Sequence, residues 1–536
     1  MQGLFRKLET TVVGGAVVIA TASLASRFLG LLRDRLLFST FGAGDTLDSY
    51  YVAFRLPDLI FNILILGALS SSFIPVFVEY RQRAEGEEGR QEAWRLANGV
   101  LSIILLVLSV LAILGFLLAP LLVPIFAPGF SGAKLHDTIA LTRIMLLAIL
   151  FFGASNIVGS MLNAMRRFVA FAIAPILYNA GIIVGILVFY PALGLPGLAW
   201  GVVFGAFLHL LTQLPSILRQ GYRFRWMLLW RNAGVRKIFR LMLPRTIGLS
   251  AVQLDQLVST MIASTLAIGS VAIFSAAQNL QSFPINIIGV SLAISSFPVF
   301  SEAFARKRTD EFVKEFSKVF RRILFTIIPL SVLILLLRAH IVRIVLGAGK
   351  FNWSDTILTA QSLGFFSLSL FAQSLTPMLA RSFYAFHDTS TPARISVFSV
   401  VIDIIGCLWL SRLYGVMGLA LSFAIASALQ MVLLLVFLRL RIGDLDDSRI
   451  LNSTIKIVVG SGVMAAAVWL SLQFFALGID QRTFFGVLFQ GIGAAVIGGV
   501  VYLLVALALH FQEVELVAGW LRRVRTVLLN GRRKES

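Results

Sequence analysis

The feature that most constrains the fold is the recurrence of long, nearly uninterrupted apolar segments. Residues 101–118 and 484–509 contain hardly a polar side chain, and about 20 apolar residues are what an α-helix needs to cross the hydrocarbon core of a bilayer. Transmembrane β-strands are shorter and alternate in polarity, so a β-barrel is excluded. With 58% hydrophobic and only 13% charged residues, the chain is predicted to be an all-α polytopic membrane protein.

The apolar windows predict fourteen spans, and the basic residues between them collect on one side. They follow the even-numbered spans, whereas the alternate loops, such as 42–46 and 267–270, are nearly bare of Lys and Arg. This positive-inside pattern accounts for the net charge of +20 without nucleic acid. Both termini are therefore predicted to be cytoplasmic, and the first span is expected to be retained rather than cleaved as a signal peptide.

Two motifs recur at a similar distance along the chain. The sequence SSFIPVFVE at 71–79 returns as SSFPVFSE at 295–302, and GLPGLA at 194–199 returns as GVMGLA at 415–420, an offset of about 221 to 224 residues. Each repeat holds an even number of spans, so the halves should have parallel topology. The expected organisation is two pseudo-symmetric six-helix lobes, two extra helices and a basic tail, at 1–230, 231–445, 446–512 and 513–536.

Proline residues inside the predicted spans mark places where helices bend, because proline removes an intrahelical hydrogen bond. The alternative is that they are tolerated without a bend, as is common in membrane helices. The residues concerned are Pro57, Pro75, Pro284, Pro298 and Pro377.

Charged residues are concentrated within the strongly apolar stretch 22–80. An ionised side chain at membrane depth costs a few kcal/mol and normally faces a polar cavity. Arg27 and Asp34 are seven residues apart and so share one helix face, and Asp48 is expected to reach an arginine of the first span. Guanidinium groups match phosphate oxygens bidentately, so the stretch predicts a chamber for an anionic, phosphate-bearing substrate.

These charges also have interpretations that involve no substrate binding. Arg33, Asp34 and Arg35 would form an interfacial cluster if they extend toward lipid head groups. Arg55 and Asp58 would simply pair across Pro57.

The second half of the chain has fewer charges within its spans. Asp255, Ser399 and Asp403 offer oxygen ligands suited to a small cation or a shared proton, which predicts a coupling-ion site. The alternative is buried carboxylates held by neighbouring hydroxyls and amides. No cofactor is expected, and a sodium gradient or the membrane potential would supply the energy. Because no catalytic arrangement or phosphate-binding glycine loop is visible, the chain is not expected to be an enzyme.

Several motifs resemble the MurJ/MviN family of lipid II flippases. The first half contributes SRFLGLLRD at 26–34, FGAG at 41–44 with Asp48, AFRLP at 53–57, GALS at 67–70 and FIP at 73–75. The second half contributes GKF at 349–351, FYA at 383–385, and Asp388-Thr389 with Thr391-Pro392.

This resemblance implies a fourteen-helix transporter of the multidrug/oligosaccharidyl-lipid/polysaccharide export superfamily. Its substrate would be undecaprenyl-pyrophosphate-linked peptidoglycan precursor, flipped outward across the bacterial cytoplasmic membrane by alternating access. The last two helices would form a groove for the lipid tail, and membrane lipids and cell-wall synthesis proteins would be its partners. By resemblance, Arg27 and Arg33 match essential cavity arginines, and the substrate-binding set is Ser26, Arg27, Arg33, Asp34, Asp48, Arg55 and Asn279.

The chain also departs from the family pattern. Phe61, Leu66, Gln278 and Asn279 stand where the family often carries charged residues. Either Arg27, Arg33 and Arg55 are sufficient to bind the pyrophosphate, or the head group of the substrate differs from the family's usual one. The alternatives are a flippase for another polyprenyl-linked glycan, a cation-coupled multidrug exporter, and a scaffold of the cell-wall machinery.

Overall fold

The regular elements in the part of the chain that the structure describes are all helices. The computed structural model describes residues 12–66, 69–83, 86–478, 480–481 and 483–514, and none of these residues lies in a β-strand. The basic tail expected at 513–536 falls almost entirely outside the described residues. The helices of the first half are α1 Val12–Phe41, α2 Asp45–Ala53, α3 Arg55–Phe61, α4 Leu69–Gln82, α5 Glu87–Phe126, α6 Gly132–Met145, α7 Ala148–Ala164, α8 Phe168–Val184, α9 Tyr190–Leu193, α10 Pro196–Leu218, α11 Ala233–Ser264 and α12 Ser270–Pro284.

The second half continues in the same way. Its helices are α13 Ser291–Ala305, α14 Thr309–Val345, α15 Trp353–Ser367, α16 Leu370–Ala385, α17 Ser390–Tyr414, α18 Val416–Ile442, α19 Asp447–Ala476 and α20 Phe484–Ala508. Three π-helical segments interrupt the regular helices, at Asn62–Leu66, Gly185–Phe189 and Ile285–Val290. The predicted all-α membrane fold is confirmed.

Ten helical stretches among the described residues are long and apolar enough to cross a membrane, and the bent pair α15–α16 makes an eleventh. The other three predicted spans correspond to α1, to the broken stretch α2–α4 and to α11. These are helical but are not among the stretches that meet that test. The count of fourteen spans therefore stays a prediction.

The sequence repeat extends to local backbone conformation. Left-handed residues recur at nearly one offset, in the pairs Gly86 and Lys307, Arg166 and His387, Gly194 and Gly415, and Gly221 and Gly443. One ion pair is repeated too, because Glu79 binds Arg83 at 2.8 Å and Glu302 binds Arg306 at 2.6 Å. The two halves of the chain thus share turn geometry as well as motifs.

The chain divides into two compact units. One contains Met1–Ala272 and Val345–Asn352, and the other contains Ile273–Ile344 and Trp353–Ser536. In the first unit α8 packs against both α1 and α10, and in the second α17 packs on α18 and α19 on α20. The division into lobes at residues 230 and 445 stays a prediction.

The prolines coincide with breaks in only part of the chain. Pro57 lies in the first turn of α3, directly after the break at Phe54, and Pro284 ends α12 just before a π-helical segment. Pro75, Pro298 and Pro377 lie inside continuous helices. The 44° bend of the tenth predicted span falls between α15 and α16, ahead of Pro377, so that proline does not make the bend.

The loop at 345–352 docks on the end of α1 within the first unit. Lys350 N donates a hydrogen bond to Ser39 O at 2.8 Å, and the Phe351 ring meets the Phe38 ring edge-on at 5.4 Å. Both rings are buried. The loop that carries the GKF motif is therefore an integral part of the first unit.

Candidate functional site

Arg33 on α1 is the centre of a polar network inside the apolar body of the first unit. Its guanidinium donates to Asp34 Oδ1 through Nε at 2.9 Å and Nη2 at 2.7 Å, and to Asn179 Oδ1 through Nη1 at 3.0 Å. The Arg33 side chain is 22% exposed and that of Asp34 is 9% exposed. The structure therefore brings two of the predicted residues together and adds a third from α8.

Asn179 also ties the network to the preceding turns of α1. Its Nδ2 donates to Ser26 O and Ser26 Oγ, both at 3.3 Å, and to Pro175 O at 3.0 Å on its own helix. Arg27, the next residue after Ser26, is half-buried. Ser26, Arg27 and Arg33 therefore lie on one segment of α1, and a single amide of α8 is hydrogen-bonded to both ends of that segment.

The packing of α8 fixes where that amide lies. A Cβ atom built on Gly181 would be 2.3 Å from Gly205 Cα, and one built on Gly185 would be 2.5 Å from Gly201 Cα. Small residues allow membrane helices to approach this closely. Asn179 is thus held on a helix that is locked against α10, and its own side chain is 8% exposed.

Asp48 has different partners from those that we expected. It lies 1% exposed near the start of α2, and its carboxylate binds Lys134 Nζ at 2.7 Å. It also accepts from Gly269 N at 2.8 Å and Ala272 N at 3.0 Å. The expectation that Asp48 reaches an arginine of the first span is wrong. The hydrogen bonds and the ion pair that are observed for Asp48 come from α6 and from the start of α12.

Both charges of this arrangement have partners. The N–H groups at the start of a helix lack intrahelical partners and carry partial positive charge, so a carboxylate there is favourable. Lys134 in addition binds Asp45 at 2.7 Å. Lys134 was not identified from the sequence as the partner of Asp48. A cation on the side of the membrane where the loops are nearly free of Lys and Arg could have indicated that it has an acidic partner.

Arg55 and Asp58, which the alternative interpretation pairs across Pro57, interact electrostatically but are not directly bonded. Among the described residues no ion pair or hydrogen bond joins them, and the buried Arg55 Nε has no hydrogen-bond partner there. A buried guanidinium nitrogen without a partner is unfavourable. Arg55 therefore keeps one buried donor without a hydrogen-bond partner among the described residues.

Three of the four positions that depart from the family pattern, Phe61, Gln278 and Asn279, carry an aromatic or amide side chain. Phe61 packs against Phe152 with ring centroids 5.4 Å apart, and next to it Asn62 Nδ2 donates to Gln253 Oε1 at 3.1 Å. Asn279 on α12 is exposed. It therefore has room to contact a ligand, and it belongs to the second unit.

The three residues of the predicted ion site are distributed over both units. Asp255 on α11 is 8% exposed and belongs to the first unit, whereas Ser399 and Asp403 on α17 belong to the second. Ser399 Oγ donates to Ile395 O at 2.9 Å, and Cys407 Sγ lies 3.7 Å from Asp403 Oδ1. Within the described ranges no group of three or more His, Cys, Asp or Glu is arranged to hold a metal ion. The coupling-ion site therefore stays a prediction.

Asp388, part of the second-half motif, is a structural cap outside the spans. Its carboxylate accepts from Ser390 N and Thr391 N, from both hydroxyls of those residues, and from Arg441 Nη1 at 2.6 Å. Burial opposes ionisation of this carboxyl, but the hydrogen bonds from Thr391 and Ser390 and the Arg441 guanidinium outweigh burial and lower the pKa of Asp388 to about 2. Its role here is to fix the start of α17.

A half-buried guanidinium with one fixed and one exchangeable partner is suited to binding an anion reversibly. The Asp34 carboxylate balances the charge of Arg33 and accepts two of its hydrogen bonds on one oxygen, and the same pair of donors has the spacing that matches two phosphate oxygens. Polar groups of this kind inside a bundle of membrane helices mark a substrate path. The fold and the site together define a multi-pass membrane transporter.

Comparison with known proteins agrees with this class. The family model described as lipid II flippase MurJ matches residues 37–489. A probable lipid II flippase MurJ of Buchnera aphidicola subsp. Schizaphis graminum is 32% identical over 426 residues, which cover 78% of this chain and 81% of that protein. The corresponding protein of Bdellovibrio bacteriovorus is 30% identical over 477 residues, or 88% and 89% of the two chains. The chain belongs to the MurJ family of lipid II flippases.

Solved structures support the same fold. A lipid II flippase MurJ in an inward closed conformation matches with a TM-score of 0.75 at 23% identity, over 91% of this chain and 98% of that one. An inward-facing multidrug transporter of the MATE family matches with a TM-score of 0.64 at 15% identity, over 81% and 99%. The fold is therefore shared with the wider superfamily that the sequence motifs implied.

Proposed function

We propose that this chain is a lipid II flippase, which carries undecaprenyl-pyrophosphate-linked peptidoglycan precursor across the cytoplasmic membrane by alternating access. The observation that supports this most directly is Arg33, held half-buried by Asp34 and Asn179 within the membrane body. A pyrophosphate carries several anionic oxygens, which a guanidinium binds with two parallel hydrogen bonds. Family membership supports the same substrate.

The substrate-binding set that we propose is the one drawn from the sequence. Arg27 and Arg33 bind the pyrophosphate, Arg55 offers its unused Nε, and Asp34 exchanges with the incoming anion. Ser26 and Asn279 donate neutral hydrogen bonds. Asp48 acts at a distance from these groups, by holding Lys134 and the start of α12.

The test is complementation in a bacterium depleted of its own lipid II flippase, with externalised lipid II as the readout. We expect Arg27→Ala and Arg33→Ala to abolish growth and externalisation. Arg90→Ala is the matched control, because the Arg90 side chain is 43% exposed and binds Glu87 at the charged end of α5. Full externalisation by both the Arg27→Ala and the Arg33→Ala variants would refute the proposal. Growth without externalisation would point to a scaffold.

We also propose the arrangement in the membrane that the basic loops predict. The protein lies in the bacterial inner membrane with both termini cytoplasmic, as two lobes at 1–230 and 231–445 followed by lipid-groove helices at 446–512 and a basic tail at 513–536. Cell-wall synthesis proteins are its proposed partners. Cysteine accessibility at Arg90 and at Asp45, which lie on opposite predicted sides, tests the orientation.

Energy coupling is proposed to involve Asp255, Ser399 and Asp403 with Na⁺ or the membrane potential. Two carboxylates and a hydroxyl are hard oxygen ligands of the kind that small cations require. Transport in proteoliposomes with imposed sodium or potential gradients tests this. Rates that do not change when either gradient is collapsed would eliminate the coupling while leaving the flippase proposal intact.

A further inference from the structure

The connection between α10 and α11 contains an irregular segment, residues 222–230, which we call the strap. It is fastened to α5 by side chains rather than by secondary structure. Asn98 Oδ1 accepts from Tyr222 Oη at 2.7 Å and Arg225 N at 3.2 Å, and Asn98 Nδ2 donates to Arg223 O at 3.1 Å. Met227 N donates to Ser102 Oγ at 3.0 Å. Asn98 and Ser102 are 4% and 0% exposed, so the attachment is built into the fold.

The two sides of the strap differ sharply. Tyr222 is buried and its ring meets that of Trp94 at 5.2 Å, while Leu229 lies so close to α5 that a Cβ on Gly99 would be 3.0 Å from Leu229 Cβ. The opposite side presents large apolar side chains, each between 44% and 55% exposed. They are Phe224, Trp226, Leu228 and Trp230.

The level of the strap is set by the helix that it crosses. Residues 87–95 of α5 include Glu87, Glu88, Arg90, Glu92 and Arg95, and the apolar run begins at residue 101. Asn98 and Ser102, to which the strap is hydrogen-bonded, lie where α5 changes from charged to apolar residues. The strap also begins just after α10, whose 23 residues span about 35 Å, close to the thickness of the hydrocarbon core. Both observations place it at the level of the lipid head groups.

Physical chemistry excludes a deeper position. Non-helical backbone exposed to lipid hydrocarbon would leave N–H and C=O groups without partners. Aromatic side chains mixed with Arg are typical of the membrane interface, and Arg223, Arg225 and Arg231 are all exposed. Basic clusters on the cytoplasmic side attract anionic lipids.

We propose that the strap is an interfacial anchor that binds anionic phospholipid of the cytoplasmic leaflet. Its four exposed apolar side chains lie among the head groups and the first acyl carbons, and the guanidinium groups of Arg223, Arg225 and Arg231 bind lipid phosphates. Because the strap is fixed to α5 and joins α10 to α11, its anchoring holds the cytoplasmic ends of these helices at a constant depth. The inference does not depend on which substrate the protein carries.

Spin labelling tests the position of the strap. The chain has a single cysteine, Cys407, which is buried, so Cys407→Ser provides a background for Trp226→Cys and Leu228→Cys. The depth of each nitroxide is measured in vesicles of phosphatidylethanolamine and phosphatidylglycerol, from its collisions with oxygen and with a water-soluble nickel chelate. Glu88→Cys gives the aqueous reference, and Leu211→Cys, on a lipid-facing position of α10 that is 43% exposed, gives the lipid reference.

We expect both strap labels to lie between the two references. Strap labels as accessible to nickel as the Glu88 label would overturn the proposal and indicate a surface for a soluble partner instead. Asn98→Ala checks the geometry, because the loss of three hydrogen bonds should raise the mobility of the Trp226 label without moving the Leu211 label.

The lipid charge is tested with the triple variant Arg223→Gln, Arg225→Gln and Arg231→Gln. With the three arginines intact, the Trp226 label should lie deeper in vesicles that contain phosphatidylglycerol than in vesicles of phosphatidylethanolamine alone. The triple variant should remove that difference. An equal depth in both lipids before the arginines are changed would overturn the binding of anionic lipid.

Discussion

Arg33 Nη1 on α1 donates a hydrogen bond to Asn179 Oδ1 on α8 at 3.0 Å, although 146 residues separate the two in the chain. Three other hydrogen bonds hold the Asn179 amide, so its oxygen is fixed relative to the α1 backbone. The arginine is therefore aimed by a neutral residue, while its charge is balanced by Asp34. This makes Asn179 a positioning residue for the proposed substrate site.

Replacing Asn179 tests that relationship. A hydrogen bond to a charged group contributes about 1.5–3 kcal/mol, so Asn179→Ala is expected to lower lipid II externalisation by roughly tenfold to a hundredfold. Asn156→Ala is the control, because the described hydrogen bond of Asn156 Nδ2 stays within α7, to Phe152 O. Equal activity of the two variants, at equal membrane abundance, would contradict a positioning role.

The Asp48 and Lys134 pair should be important for stability. Removing one partner of a buried ion pair leaves an uncompensated charge and costs about 3–5 kcal/mol, so Lys134→Met is expected to lower the Tm of the purified protein markedly. Asp45→Asn removes the other carboxylate that binds Lys134. Because the Asp45 side chain is 55% exposed, this change should alter Tm little. A Tm for Lys134→Met equal to that of Asp45→Asn would show that the Asp48 contact contributes nothing.

Gly349 is expected to tolerate no side chain. Its φ of +55° favours glycine, and a Cβ there would be 2.2 Å from Ser39 O. Gly349→Val should therefore displace the loop at 345–352 from α1, expose Phe351 and reduce both Tm and transport. Gly44→Ala, at the same end of the helices, is the comparison, since nothing lies within 4 Å of the added carbon. Protection of a Cys substituted at Phe351 against thiol reagents reports the docking directly.

The low pKa of Asp388 predicts how the stability of the folded protein depends on pH. Its folded pKa of about 2 lies below the unfolded value of about 3.9, so its stabilising contribution is complete above about pH 4 and is lost as the pH falls toward 2. Asp388→Asn should have a lower Tm than the unsubstituted protein at neutral pH, by the equivalent of about 1 kcal/mol for a helix cap. The difference should close on acidification. A gap that is constant down to the lowest pH would assign the effect to packing instead.

Some of the site could be predicted from the chain and some could not. The placement of Arg27, Arg33 and Asp34 on one helix follows from spacing alone, because helical periodicity is local. The partners Asn179 and Lys134 did not follow, since they lie 146 and 86 residues from the groups that they bind. Asp48 illustrates the same limit. Its buried carboxylate indicated a cationic partner, but the choice of Lys134 and the start of α12 required the packing of three helices.

The sequence by itself determined that this protein is helical, that it is embedded in a membrane, that its motifs repeat and that arginine is kept within its apolar body. These properties depend on hydropathy and on residue spacing, which act over a few helical turns. Only the tertiary structure decided that Asn179 aims Arg33, that Asp48 caps α12 and that the strap lies across α5. Each of these needs helices that are distant in sequence to pack against one another, and the energies that choose the packing are sums over contacts that no local pattern encodes.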